Sequence, residues 1–483
     1  MALGWSPLGR SFVTKRNRSS TWAFGIIKII AFPGRRLKMV FVGRLLLIGL
    51  DCADPELLRE LLPELPVLRG LVEEGSFVRL RSIDPPITIP AWMCMFTGRD
   101  PGELGVYGFR NRRDYSYDSL RVVSATDFPR EAVWDRLGEA GLSSILIGIP
   151  GTYPPRPIHG LLVSGFLAPN PSTQYTYPPS LRERIRDLVG TYLFDVRGFR
   201  THDKHRVLRE ALEMTQRRFR LAVELLETEA GDFAAVVEIG TDRIHHAFWA
   251  QHFEGGPFQD ALRDYYCFLD TCIGELLEAV PRGIQILVVS DHGAQGLEGG
   301  IAINEWLLQE GYLTLKTYPK TPTRIGDLIR KGLVDWRRTL AWGEGGHYAR
   351  IFLNVKGREP RGAVPQGKYD TVRRELASAL EGMVDGEGNP LGNRVLFPEE
   401  IYREVRGIPP DLIVYPGNLR FRSLGSVGWG KITLPGNDTG PDDANHSHWG
   451  IFISSPPLAD SDLGITQVHD IILGYFGLEG RNG

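Results

Sequence analysis

The sequence predicts an α/β fold, with a largely parallel central sheet flanked by helices and with cap insertions. Two observations carry that expectation. Four short apolar runs, Leu45–Leu50, Ser143–Ile149, Ala234–Ile239 and Ile284–Val289, read as strands buried on both faces. Between them lie longer stretches with apolar residues at helical spacing. In Arg206–Glu229, for example, Leu208, Leu212, Phe219, Ala222 and Leu226 share one face opposite the charges. Strand, helix and strand in alternation imply right-handed parallel wiring.

The first 50 residues hold nine Lys and Arg and no acid, which leaves 47 basic and 58 acidic residues for the remainder. Met39 opens "MVFVGRLLLIGLD", a natural start. Residues 1–38 are therefore expected to be a basic extension, disordered or not native, ahead of a catalytic domain over 39–483. Leu45–Leu50 ends in Asp51 and a helix-opening Cys-Ala-Asp-Pro turn. Pro55–Glu74 reads as a helix broken near Pro63 and Pro66. A polar, Pro-rich passage from Arg81 then delivers Thr88 just ahead of a helix whose first turn tolerates Pro90. Helices are expected over Glu131–Gly141 and Pro257–Val280, and over the stretch "INEWLLQEGYL". The 340–425 region mixes strands (Arg350–Val355, Leu412–Tyr415) with a helix at Asp370–Leu380, expected to complete the sheet and add a cap. A late strand, Ile451–Ser454, and a helix, Thr466–Leu478, close the chain.

Composition excludes several classes. Hydrophobic residues at 42% and charged residues at 24% are ordinary globular usage, and a net charge of -2 gives no reason to expect a nucleic-acid polymer as partner. Gly and Pro together are 89 of 483 residues, about 18%, so long irregular connections are expected. No run approaches the ~18 apolar residues of a membrane span. Four cysteines without metal-site spacing read as small buried residues in a reducing, cytoplasmic compartment.

Five places collect metal-competent side chains at strand ends or helix starts: Asp51, Thr88, Asp242 with His246, Asp291 with His292, and His446. Asp242 and His246 stand at i,i+4, one face of a helical turn. Asp291 and His292 follow a buried strand at its carboxyl end, where open α/β sheets bind ligands. Each residue alone has an ordinary alternative, as a helix cap, a turn or a satisfied surface histidine.

Taken in order, the motifs "LLLIGLDCAD", "PPITIPAWMCMFTGRDPGELGVYGF", "GTDRIHHAFW", "VVSDHG" and "ANHSHWGIFI" resemble the alkaline phosphatase superfamily, in its type I phosphodiesterase/nucleotide pyrophosphatase branch. The resemblance implies an alkaline-phosphatase-like sheet with cap-like insertions around 150–205 and 310–440. It implies a two-metal hydrolase of small phosphodiesters (nucleotide or pyrophosphate) or phosphomonoesters, acting through a phospho-threonine on Thr88. Asp51, Thr88, Asp291 and His292 would hold one metal; Asp242, His246 and His446 would hold the other. His446 is chosen over His448 because the family's histidine lies four residues before the glycine of the next strand, here Gly450. Mixed imidazole and carboxylate ligands without thiolate suit Zn²⁺ or Mn²⁺. Two departures stand out. The family's Thr-x-Pro-Asn-His reads Thr88-Ile-Pro-Ala-Trp92 here, which weakens a nucleotide preference, and the sulfatase Cys-x-Pro-x-Arg is absent. The alternatives are a phosphoglycerate-mutase-like phosphotransferase or a catalytically silent metal-binding interaction protein on the same scaffold.

Overall fold

The computed structural model describes residues 44–481; the extension expected over residues 1–38 lies outside the described residues. Nine strands form the central sheet: β1 Leu45–Leu50, β2 Ser76–Arg81, β3 Ser144–Ile149, β4 Gly160–Ser164, β5 Thr176–Tyr177, β6 Phe233–Glu238, β7 Gln285–Val289, β8 Trp449–Ser455 and β9 Leu463–Gly464. Their spatial order is β9-β2-β8-β7-β1-β6-β3-β4-β5. The middle is parallel: β1 runs with β6 and β7, and β3 with β6 and β4. One internal strand, β8, runs antiparallel between β7 and β2. It begins at the end of the sheet where β1, β6 and β7 finish, so the residues ahead of it meet the residues after them.

Alternation along each strand divides the core into two layers. Leu46, Ile48, Val236 and Val288 pack on the helices Lys204–Thr228, Gly240–Glu254 and Ala261–Glu278 through residues such as Leu225, Phe248 and Leu269. Leu45, Leu47, Ala235 and Leu287 face the other way, onto Trp92 and Phe96 of the helix Thr88–Thr97 and Ile472 of the closing helix Gln467–Tyr475. Both faces are covered, which is why the strands read as unbroken apolar runs. No described helix is long and apolar enough to cross a membrane.

Two expectations are corrected. The strands at Ala349–Leu353 and Leu412–Tyr415 do not complete the central sheet. They join Ala341–Glu344 and Arg394–Leu396 in a separate antiparallel four-stranded sheet. That sheet has its own core around Trp306, Trp342, Phe352 and Leu376, while β9 and β5 occupy the edges of the central one. Conversely β2, β4, β5 and β9 were not foreseen. β2 is Ser-Phe-Val-Arg-Leu-Arg, with only Val78 and Leu80 buried, so it lacks the continuous apolar signal of a central strand.

Candidate active site

Five segments deliver side chains to one end of the sheet. Asp51 follows β1, and its backbone N–H donates to Glu238 O at 3.0 Å while Thr241 Oγ1 donates to Asp51 O at 2.5 Å, tying the β1 and β6 turns together. Asp242 and His246 rise from the first turns of the helix Gly240–Glu254. Asp291 and His292 follow β7, and the short strand after them, Gly293–Gly296, pairs antiparallel with Ala444–Ser447 so that Ala294 faces His446. That register stacks the His292 and His446 rings, with centroids 3.8 Å apart. Thr88 is the first residue of its helix rather than the residue before it, because the extended residue is Ile87. All seven of these residues are buried.

The three histidines are held the same way. His292 Nδ1 lies 3.2 Å from Gly293 O, His446 Nδ1 lies 2.8 Å from Pro86 O and His246 Nδ1 lies 2.6 Å from Asp442 Oδ1. An oxygen acceptor at Nδ1 favours a proton there, so Nε2 is the ring nitrogen that each histidine turns toward the carboxylates. Those Nε2 atoms converge on carboxylate oxygens. His292 Nε2 is 3.1 Å from Asp291 Oδ2 and 3.9 Å from Asp51 Oδ1, and His246 and His446 Nε2 are 3.4 and 3.5 Å from Asp242 Oδ1. Thr88 Oγ1 lies 3.4 Å from His292 Nε2.

Each of the three carboxylates has one buried oxygen without a hydrogen-bond partner: Asp51 Oδ1, Asp242 Oδ1 and Asp291 Oδ2. Their other oxygens are occupied, by Trp92 Nε1 at 2.8 Å, by Arg243 and by the Cys52 N–H at 3.1 Å. Burial, reinforced by Asp291 and Asp242, pushes the Asp51 carboxyl well above the usual range. Burial opposes ionisation of Asp242 too, but His246 and Arg243 outweigh it and hold that carboxyl low. For His292, burial works to lower the pKa, and the carboxylates of Asp291, Asp51 and Asp242 reverse it, up to about 9. Three carboxylate oxygens without hydrogen-bond donors and three converging Nε2 atoms, all buried, form a donor set that fits a divalent cation.

Three neighbours give no signal as single residues in sequence. Trp92, one turn after Thr88, bonds Asp51, and Gly49 makes room for it: a Cβ on Gly49 would lie 2.5 Å from Trp92 Cη2. Asp442 orients His246 while accepting from Arg200 Nε at 2.5 Å and Arg422 Nη1 at 2.9 Å. Its pKa is held far below the carboxylate range, His246 and Arg200 outweighing burial. The His347 ring lies tilted against His446 with centroids 3.8 Å apart, its Nδ1 2.8 Å from Asn445 Oδ1. His448 lies apart, its Nε2 3.0 Å from Asp84 Oδ1.

The profile of the type I phosphodiesterase / nucleotide pyrophosphatase family matches residues 45–442, most of the chain. The chain belongs to that family. Its members' chemistry makes it a metal-dependent phosphoryl hydrolase on an alkaline-phosphatase-like fold. Among solved structures, it is similar to phosphonoacetate hydrolase from Sinorhizobium meliloti in complex with phosphonoacetate, at 14% identity and TM-score 0.60, covering 92% of this chain and 97% of that one. Human ectonucleotide pyrophosphatase / phosphodiesterase 5 also matches, at 14% identity and TM-score 0.51, with 90% and 96% covered. The murine protein of the same name gives 15% identity, TM-score 0.51 and coverage of 90% and 95%. A comparison with curated protein sequences gives no match.

Proposed function

We propose that this family member hydrolyses phosphodiesters or phosphomonoesters with two divalent metal ions, Zn²⁺ or Mn²⁺, through a phosphoryl group carried on Thr88. The observation that carries the reading is the convergence of three unpaired, buried carboxylate oxygens with three anchored imidazoles beside the Thr88 hydroxyl. Asp51, Thr88, Asp291 and His292 would hold one ion and Asp242, His246 and His446 the other. When bound, two such ions supply charge stabilisation at the attacking and leaving oxygens.

The chain's own residues do the rest. Thr88 opens a helix, and Pro90 has no N–H to leave unpaired, so the donors at that end belong to Thr88 and Ile89. They face the site where phosphate charge collects. Thr88 gives up its hydroxyl proton to solvent as Oγ1 bonds phosphorus, the leaving oxygen departs on the opposite side and is protonated from solvent, and water later attacks phosphorus, one of its protons returning to Thr88 Oγ1. The site's side chains are buried, so each electrostatic contact acts in a medium less polarisable than bulk water. Ala91 stands where the family's pattern has Asn, and it offers the substrate no side-chain donor. That absence, together with Trp92 turned to Asp51, argues against carrying over a nucleotide preference.

The inserted passages 150–205 and 310–440 shape the leaving-group side, a role supported by Arg200 and Arg422 reaching Asp442 from them. All four cysteines are free, which supports a reducing, cytoplasmic setting. Assay of the metal-loaded protein against p-nitrophenyl mono- and diesters tests the reading. Turnover with Zn²⁺ or Mn²⁺ is expected; none with any divalent metal would sink it. Stereochemistry tests the covalent route separately, because two in-line displacements retain configuration at a chiral phosphorus and direct attack by water inverts it.

A further inference from the structure

We infer that His347 is a fourth protein ligand of the ion assigned to Asp242, His246 and His446, supplied by the inserted four-stranded sheet. The inference rests on the two-metal reading above. It adds a cap residue that sets which metal that position takes and how open it is.

Local structure brings His347 to the site. It lies in the turn between the antiparallel strands Ala341–Glu344 and Ala349–Leu353. Gly345 lets that turn pass close to the strand Phe421–Leu424, since a Cβ on it would lie 2.5 Å from Ser423 O. The Gly346 N–H then donates to Ser423 O at 2.8 Å and the Ser423 N–H to Gly346 O at 3.0 Å, which pins the turn. The Tyr348 hydroxyl, one residue on, donates to Tyr107 O. Held this way, the His347 ring is 3.8 Å from His446 and 5.4 Å from His246, centroid to centroid. One ligand nitrogen from each of the three lies within 4.8 Å of the others.

The ring is oriented as the other three histidines are. Asn445, fully buried, donates from Nδ2 to His347 O at 3.0 Å and to Leu419 O at 2.8 Å. Carbonyl oxygens only accept, so the amide nitrogen must face them, and Oδ1 is the atom 2.8 Å from His347 Nδ1. An amide oxygen likewise only accepts, which favours the proton on Nδ1 and makes Nε2 the ligand atom. The N–H donor that approaches Nε2, Arg422 Nη1 at 3.5 Å, fits a lone pair there. That distance is beyond an ordinary hydrogen bond, and Asp442 holds the same nitrogen at 2.9 Å.

Coordination chemistry follows from the donor set. Zn²⁺ takes nitrogen at about 2.0–2.1 Å, so a small rotation at the tip of a turn suffices to close three imidazoles on one ion. Asp242 Oδ1 already lies 3.4 and 3.5 Å from the His246 and His446 Nε2 atoms, which makes the set three imidazoles and one carboxylate. Imidazole suits zinc and carboxylate suits manganese, so His347 biases this position toward Zn²⁺. A fourth protein ligand also fills a tetrahedral ion. Entry of a phosphoryl oxygen then means that His347 leaves or that the coordination expands to five. His347 is less buried than His246 and His446, and of the four ligands it is the one suited to exchange.

Metal titration of the full chain against a chromophoric chelator tests this. His347→Ala should bind one of two Zn²⁺ ions about tenfold or more weakly, with a smaller change for Mn²⁺. The visible absorption of the Co²⁺-loaded chain reports coordination number, so its intensity should change in the variant. Imidazole added to Co²⁺-loaded His347→Ala should bring back the wild-type spectrum. His347→Gln keeps the bulk of the side chain at the turn and should show the same zinc loss, even if the alanine variant fails to fold. Unchanged Zn²⁺ affinity and an unchanged Co²⁺ spectrum in a folded variant would overturn the assignment. Equal losses of Zn²⁺ and Mn²⁺ without imidazole rescue would overturn it too, because a merely structural turn residue gives that result. Zinc loss with rescue, in a chain whose wild type turns over no ester, would support His347 as a ligand and sink the hydrolase reading. Ester turnover by the wild type, with unaltered metal binding in the variants, would do the opposite.

Discussion

Trp92→Phe isolates the link between the nucleophile's helix and the cation site. The indole Nε1 donates to Asp51 Oδ2 at 2.8 Å, and both residues are 0% exposed. Asp51 Oδ1 has no hydrogen-bond donor, so the indole is what orients this carboxylate. Phe keeps a ring above Gly49 and Val237 but removes the N–H. A hydrogen bond to a charged acceptor contributes about 1.5–3 kcal/mol, and loss of an orienting partner behind a metal ligand typically costs about 10–100-fold in affinity. The variant should therefore bind Zn²⁺ or Mn²⁺ roughly ten to a hundred times more weakly, read by competition with a chromophoric chelator. Without metal, where burial favours the neutral Asp51 carboxyl, its free energy of unfolding in urea should fall by about 0.5–1.5 kcal/mol. Wild-type affinity in Trp92→Phe would refute the argument that the indole holds Asp51 for the cation.

Thr88→Ala should lose catalysis on the ~10²–10⁶ scale seen when a nucleophile is deleted, while Thr88→Ser keeps measurable turnover; near wild-type activity in Thr88→Ala would rule out the covalent route. Asp242→Ala or His446→Ala should each remove about one ion per chain by elemental analysis. His448→Ala should not, because its imidazole pairs with Asp84; the reverse pattern would shift the assignment by two residues. Gly49→Ala should destabilise the fold by about 1–3 kcal/mol, since the added methyl meets Trp92 and Val237 at 2.5 and 2.9 Å; an unchanged melting temperature would show that the indole can move aside.

The elements easiest to foresee were those whose signal is local. The β1, β3, β6 and β7 segments are buried on both faces, so their apolar runs stand out from any context. Helices such as Lys204–Thr228 carry their amphipathic period along their own length. Asp51, Asp242, Asp291 and His292 were recognisable just after three of those strands, because backbone direction alone brings the carboxyl ends of parallel strands together. β2 escaped notice since only two of its six residues are fully buried, and the strands of the 340–425 region carried no mark of which sheet they would join.

Sequence by itself therefore determined the layered α/β architecture, because periodicity is a property of neighbouring residues, and it offered Asp51, Thr88, Asp242, His246, Asp291, His292 and His446 as candidates through their resemblance to a family's ordered motifs. Tertiary structure decided which atoms converge. The antiparallel pairing of Gly293–Gly296 with Ala444–Ser447 puts His446, and not His448, against His292. Folding also brings in Trp92, His347, Asp442, Arg200 and Arg422, whose roles exist only across long sequence separations. A hydrogen bond such as that from Arg200 to Asp442, 242 residues apart, leaves no trace in local pattern, since its partner is chosen by how an inserted segment packs on the loop ahead of Ala444–Ser447.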